Sequence, residues 1–127
     1  MKYLITGYKG QLGYDIKREL LKRGVSEEDI LAIDKEEMDI TDSREVSKIV
    51  NDFKPNVIFH CAAWTAVDKA EDMSDACYNV NVVGTKNIVD ASLKVGATII
   101  YMSTDYVFDG TKDGLYTEED IVNPKSV

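Results

Sequence analysis

The stretch that most constrains this chain is residues 2–13, KYLITGYKGQLG. A short apolar run, Tyr3-Leu4-Ile5, leads straight into three glycines, Gly7, Gly10 and Gly13. A helical repeat begins at Gln11, with Leu12, Ile16 and Leu20 recurring every four residues as one buried helix face requires. Strand, glycine turn and helix in this order form a phosphate-binding device. Gly7 permits the tight turn. Gly10, with no side chain, lets a pyrophosphate approach the backbone, and Gly13 lets the helix pack closely on the strand. The free N–H groups and positive dipole end of the helix then face the anion.

The spacing is G-x-x-G-x-x-G, not the G-x-G-x-x-G of many dehydrogenases, and glycines also mark ordinary turns; Gly24, for one, reads as a helix C-cap. The supporting residue is Asp34. It ends a second apolar run, Ile30-Leu31-Ala32-Ile33, and lies 21 residues beyond Gly13. That is near the spacing of a carboxylate that accepts the ribose hydroxyls of an adenosine. An Asp after a strand is also a common turn residue, so Asp34 gains its meaning from the glycines.

At 127 residues the chain makes one domain, large enough for a real core. A net charge of -8 argues against a nucleic-acid surface, which needs clustered Lys and Arg. No apolar stretch approaches the roughly 20 residues of a membrane span. A strand starting at residue 2 leaves no room for a signal peptide. The two cysteines, Cys61 and Cys77, sit in apolar and helical runs and read as buried thiols of a reducing cytoplasm. His60, the sole histidine, reads as a structural strand-end residue on the face opposite Cys61, and no metal site is expected.

The first helix continues to about residue 23. A loop over residues 35–42 leads to a helix whose cap is disputed among Thr41, Asp42 and Ser43, and which stops before Pro55. Val57-Ile58-Phe59 reads as a third strand, a long helix is expected over residues 74–95 with Gly96 closing it, and residues 98–102 form a fourth strand. The repeat βαβαβαβ implies a Rossmann-like, doubly wound parallel α/β sheet, with expected strand order 3-2-1-4. Residues 105–127 show no sustained periodicity. A structureless tail closing a compact domain is unusual, and the fourth strand lacks a βα unit on one edge. The chain is therefore expected to be a cofactor-binding domain incomplete at its C-terminus.

Ligands of such sheets bind beyond the carboxyl ends of the strands, where the strand order reverses. The expected crevice lies between strands 1 and 4. Asp39 and Ile40 would follow strand 2, where a carboxylate and an apolar group suit an adenine; a capping loop would look the same. Ala62 and Ala63 follow strand 3, where small residues leave room for a ribose or simply pack. Ser103 and Thr104 end strand 4, where a hydroxyl can polarise a carbonyl or merely form a turn. No proton donor is assigned by motif; Tyr106 and Tyr116 are near only by position.

TGYKGQLG, AAWTAVDKAED and STDYVFDG together resemble the extended short-chain dehydrogenase/reductases, and among them the dTDP-4-dehydrorhamnose reductases, over essentially the whole chain. The resemblance implies that Gly10-Gln11-Leu12 bind the pyrophosphate, Asp34 the adenosine ribose and Asp39-Ile40 the adenine. It places Ala63-Trp64-Thr65 on the nicotinamide side, and Thr104 and Asp105 on the sugar nucleotide, with Thr104 the catalytic hydroxyl. The family completes its site with a Tyr-x-x-x-Lys motif shortly beyond Asn123-Pro124, which this chain lacks. His60-Cys61 replace a common Asn-Ala. The implied activity is NADH- or NADPH-dependent reduction of the 4-keto group of a dTDP-hexulose, with Asp34 favouring NADH and catalysis requiring residues beyond this chain. A homodimer is left open. So are another nucleotide-sugar reductase or epimerase, and a non-catalytic dinucleotide-binding subunit like that of methionine adenosyltransferase.

Overall fold

The computed structural model describes residues 1–126. Its frame is a four-stranded parallel sheet, β1 (Tyr3–Thr6), β2 (Ile30–Ile33), β3 (Val57–His60) and β4 (Thr98–Tyr101). The helices are α1 (Gln11–Lys22), α2 (Ser43–Phe53), α3 (Val67–Asp72), α4 (Ser74–Tyr78) and α5 (Thr85–Val95). A π-helical segment, Asn79–Gly84, joins α4 to α5. This is the doubly wound α/β sheet expected, but its strand order is different.

The strands run β2-β1-β3-β4, not 3-2-1-4. β3 pairs with β1, in register from Tyr3↔Val57 to Thr6↔His60, and β2 lies on the other side of β1. The right-handed crossover rule allows either order, because it sets the hand of a connection and not its direction. Here β1→β2 steps one way and β2→β3 steps back across β1, which puts α1 and α2 on opposite faces. β3→β4 continues in the second direction and packs α5 against α2. The reversal therefore lies between β1 and β3, and so does the crevice.

Side chains alternate across the pleat, so Leu4, Leu31, Ile58 and Ile99 form one row on the α2/α5 face. Leu4 and Ile58 pack there with Val46, Val50, Ile88 and Ala91 to make the core. Fully burying one such aliphatic side chain is worth about 1.5–3 kcal/mol. α1 covers the other face less completely. Leu12, expected in its buried stripe, is exposed at the cleft, Ile16 and Leu20 are half-buried, and the one buried residue of the helix is Gly13.

Local punctuation follows the sequence. Beyond α1, Gly24 takes φ +84°, its N–H reaching the Leu21 carbonyl while the Val25 N–H reaches that of Leu20. Gly96 closes α5 in the same way, at φ +69°. Asp42 wins the competition to cap α2, its carboxylate accepting from the Arg44 and Glu45 amides.

Two segments differ from expectation. The long helix over residues 74–95 contains the π-helical turn, and α3 precedes it as a separate short helix. The tail is ordered by polar ties, not structureless. Asp109 accepts from the Thr111 amide and hydroxyl, the Tyr116 hydroxyl and the Asn123 amide group, and the Phe108 and Tyr116 rings stack 4.3 Å apart. β2 and β4 are the two edges of the sheet, and on β4 Ile100 and Tyr101 are exposed.

Candidate dinucleotide-binding cleft

A cleft of about 1190 Å3 opens beyond the carboxyl ends of the strands. Its floor is the glycine turn. Gly7 takes φ +68°, and a Cβ there would lie 2.8 Å from the backbone of Ala62. The turn after β1 therefore touches the loop after β3 backbone to backbone. At Gly13 a Cβ would lie 2.5 Å from the Gly7 carbonyl oxygen and 2.6 Å from Tyr8 Cα. The helix thus sits on the turn itself, where packing on the strand was expected. At Gly10 a Cβ would meet only the Gly7 oxygen, at 3.3 Å.

α1 has Gly10 as its N-cap, with no side-chain cap and no acidic residue in its first turn. α2, by contrast, fills the same position with Asp42. A helix N-terminus presented bare to a cleft, above a glycine cradle, suits an anion.

Asp34 stands at the end of β2, its Oδ2 accepting from the Lys9 amide at 3.1 Å and its Oδ1 from the Lys35 amide at 2.8 Å. The carboxylate is thereby fixed beside the glycine turn. The Lys9 ammonium pairs with Glu36 Oε2 at 2.8 Å. Further along the loop, Asp39 Oδ1 accepts from both the amide and hydroxyl of Thr41, which holds its carboxyl below the usual range. Ile40 lines the cleft, but its side chain belongs to the core and is seated against Gly84.

The opposite wall is the loop after β3, Ala62, Ala63, Trp64 and Thr65. Two devices hold it. Thr6 Oγ1, at the end of β1, accepts from the Ala62 amide at 3.2 Å and lies 2.7 Å from His60 Nδ1. The other ring nitrogen of His60 is 3.1 Å from Thr85 Oγ1. A neutral imidazole, with one donor and one acceptor, matches two hydroxyls. Burial pushes its pKa down to about 4. Higher up, Asn81 grips Trp64 by both backbone groups, its Oδ1 accepting from the Trp64 amide and its Nδ2 donating to the Trp64 carbonyl. Asn81 sits in the π-helical segment, a conformation that recurs at functional sites.

On the far side, beyond β4, Ser103 and Thr104 reach the same cleft. β3 stands between them and β1, so Thr104 is one strand further from the glycine turn than expected. The Thr104 hydroxyl accepts from the Tyr106 amide and donates to Asp105 Oδ1, capping a short 3-10 turn, Asp105–Val107. Asp105 itself lines a neighbouring cavity of about 450 Å3 with Tyr106, Phe108, Asp109 and Tyr116.

The cradle fits a dinucleotide: glycines where a Cβ would strike backbone, a bare helix start for a pyrophosphate, and a carboxylate one strand away for a ribose. Comparisons with known proteins place the chain in a family. Residues 1–127 match the family model described as the RmlD substrate binding domain. The chain belongs to that family. In sequence, this RmlD-family chain is 44% identical over 126 residues to the dTDP-4-dehydrorhamnose reductase of Aggregatibacter actinomycetemcomitans, covering 99% of this chain and 42% of the relative. In structure it resembles the dTDP-4-dehydrorhamnose reductase of Clostridium acetobutylicum, with a TM-score of 0.94, 47% identity and coverage of 99% of this chain and 44% of that one. The Bacillus anthracis dTDP-4-dehydrorhamnose reductase, solved in complex with NADP, gives a TM-score of 0.92 at 41% identity, again over 99% and 44%. The chain thus spans less than half the length of the relatives it matches.

The structure brings Gly7, Gly10, Gln11, Leu12, Gly13, Asp34, Asp39, Ile40, residues 62–65 and Thr104 around one cleft, and leaves Asp105 outside it. Residues missed from the sequence are Thr6 and Asn81. Asn81 carried a signal: a polar residue set among valines in NVNVVGT, where a helix face should be apolar. Both thiols line the cleft; Cys77 is buried, whereas Cys61 is only half-buried, and burial pushes its pKa up.

Proposed function

We propose that this chain is the dinucleotide-binding part of a dTDP-4-dehydrorhamnose reductase, reducing the 4-keto group of dTDP-4-dehydro-L-rhamnose to dTDP-L-rhamnose. The observation that carries the reading is the single cleft in which the glycine cradle, the bare start of α1 and Asp34 meet the Trp64 loop and Thr104. The NADP bound by the Bacillus anthracis relative supports it.

In this reading the α1 amides and Gly10 hold the pyrophosphate, and Asp34 accepts from the adenosine ribose. Asp39 faces the adenine. The loop held by Thr6 and Asn81 forms the wall beside the nicotinamide. The bound cofactor, when reduced, supplies the hydride. Thr104 donates a hydrogen bond to the 4-oxygen as negative charge develops there, and Asp105 contacts the sugar nucleotide from the adjoining cavity. The proton comes from a tyrosine, steadied by a lysine, in the longer protein. NADH is preferred, because a 2′-phosphate meets the Asp34 carboxylate. The two free thiols fit a reducing cytoplasm.

Calorimetric titration of the 127-residue chain with NADH and NADPH tests the reading. Saturable binding that Gly10→Val abolishes is the expected result. No binding of either dinucleotide overturns the assignment of the cleft. Turnover of the dTDP-sugar by this chain alone overturns the placement of the proton donor elsewhere.

A further inference from the structure

The π-helical segment that grips Trp64 runs into α5, and α5 grips the loop after β2. Asn87 of α5 donates through Nδ2 to two successive carbonyls of that loop, Ile40 at 2.9 Å and Thr41 at 3.3 Å. From α2, Glu45 Oε2 accepts from the Asp39 amide at 3.0 Å. The Asp39 carbonyl accepts from the Asp42 amide, and Asp39 Oδ1 accepts from the Thr41 amide and hydroxyl. Between the Asp39 amide and the Thr41 carbonyl, two polar groups are left over. The Ile40 N–H and Asp39 Oδ2 have no protein partner among the described residues, although Ile40 is only 8% exposed and both residues line the cleft. An unpaired N–H in so enclosed a residue is a group for a ligand to meet.

One free donor and one free acceptor on adjacent residues match the edge of adenine, whose N1 accepts and whose 6-amino group donates. A 6-oxopurine presents the reverse, an N1–H that donates and an O6 that accepts. The first pairs twice. The second sets donor against donor and carboxylate against carbonyl oxygen. The Ile40 N–H lies in the peptide between the two anchors, Glu45 on one side and Asn87 on the other, so its direction depends on both. We propose that Asn87 is a positioning residue for base recognition: by holding the Ile40 and Thr41 carbonyls it aims the Ile40 N–H beside the Asp39 carboxylate, so that the site takes a 6-aminopurine and rejects a 6-oxopurine. The proposal rests on the dinucleotide reading of the cleft. Asn87 touches no ligand itself and acts through the loop.

The test is calorimetric titration of the 127-residue chain with ADP and with inosine 5′-diphosphate, in the unsubstituted chain, in Asn87→Leu and in Asn87→Asp. The two ligands share ribose and pyrophosphate, so the ratio of their affinities cancels any common effect of a substitution on the fold, the glycine turn or Asp34. The unsubstituted chain should favour ADP by roughly ten-fold or more, the scale for leaving an enclosed donor mispaired. Both substitutions remove the donors to the loop carbonyls and should bring the ratio within about three-fold of unity. Proton–nitrogen spectra of the unsubstituted chain give a second readout: ADP should move the Ile40 amide and the Asn87 side-chain amide together, and inosine diphosphate should move both less. Equal affinities for the two nucleotides in the unsubstituted chain, a preference that survives both substitutions, or an Asn87 amide that ADP leaves in place overturns the proposal and leaves the dinucleotide reading intact. If neither substituted chain folds, the spectra decide alone. Failure of both nucleotides to bind the unsubstituted chain overturns the two together.

Discussion

His60 should make this fold sensitive to mild acid. It is the sole histidine, 1% exposed, and held between the hydroxyls of Thr6 and Thr85. Burial lowers its pKa from 6.5 to about 4. The folded state therefore resists a proton that the unfolded chain accepts, and stability is complete above about pH 6.5 and lost as the pH falls toward 4. The full shift of about 2.5 units corresponds to about 3 kcal/mol, of which about 2 kcal/mol is gone at pH 5. Urea unfolding at pH 7.5 and pH 5, in the wild-type chain and in His60→Asn, isolates this contribution. Asparagine keeps a polar partner for Thr6 but does not titrate. The carboxyls whose pKa is lowered, Glu36, Asp39, Asp109 and Asp120, change protonation below this window. The loss between the two pH values should shrink by about 2 kcal/mol in the variant. An equal loss in both proteins, or an imidazole proton resonance titrating near 6.5, would refute the reasoning.

Other substitutions probe the cleft. Gly13→Ala drives a Cβ into the Gly7 carbonyl and Tyr8 Cα, backbone that cannot turn aside; it should cost about 1–3 kcal/mol in chemical unfolding and abolish dinucleotide binding by calorimetry. Gly84→Ala drives a Cβ to 2.6 Å from Ile40 Cδ1 and 2.7 Å from its Cγ1, side-chain atoms and not backbone, so its cost should be smaller than that of Gly13→Ala, about 1–1.5 kcal/mol. Asn81→Leu unpairs two backbone groups of Trp64, the sole tryptophan; it should shift the fluorescence and weaken binding of NADH more than of ADP, which lacks the nicotinamide. In the longer protein, Thr104→Val should lower kcat by roughly 10²-fold, the scale for losing one oxyanion donor. A Tm close to wild type would separate that loss from disruption of the turn that Thr104 also caps.

What was legible in the sequence was local. The glycine turn and Asp34 announce themselves through spacing, because Gly10 and Gly13 answer steric demands within the turn itself, whereas the demand of Ala62 on Gly7 comes from far along the chain. Gly24 and Gly96 do the same for two helix ends. Strand order was not legible, since nothing in residues 35–56 states whether the chain crosses back over β1 or steps outward. The observed order goes with α2 and α5, distant in sequence, packing together on a shared face. Leu12 obeys the helical repeat and yet faces the cleft, because a periodicity reports a stripe and not what covers it. Within the π-helical turn, Asn81 finds its partner, Trp64, outside its own segment, which local periodicity does not report. The tail is ordered by Asp109 gathering donors from Thr111, Tyr116 and Asn123, and such polar ties leave no hydrophobic rhythm to read.

The backbone contact between Gly7 and Ala62 makes the two walls of the cleft unlike as machinery. On one side, the turn after β1 and the loop after β3 are bolted together, with Thr6 clamping the joint from below. Neither can swing without the other, so a cofactor lying across them meets a gauge of preset width. On the other side, Ser103 and Thr104 stand on an edge strand and lead into a segment fastened by exposed polar ties. In the proposed reading, any tightening around a sugar falls to that side, and an engineer seeking room for a different one would find slack there and none at the joint.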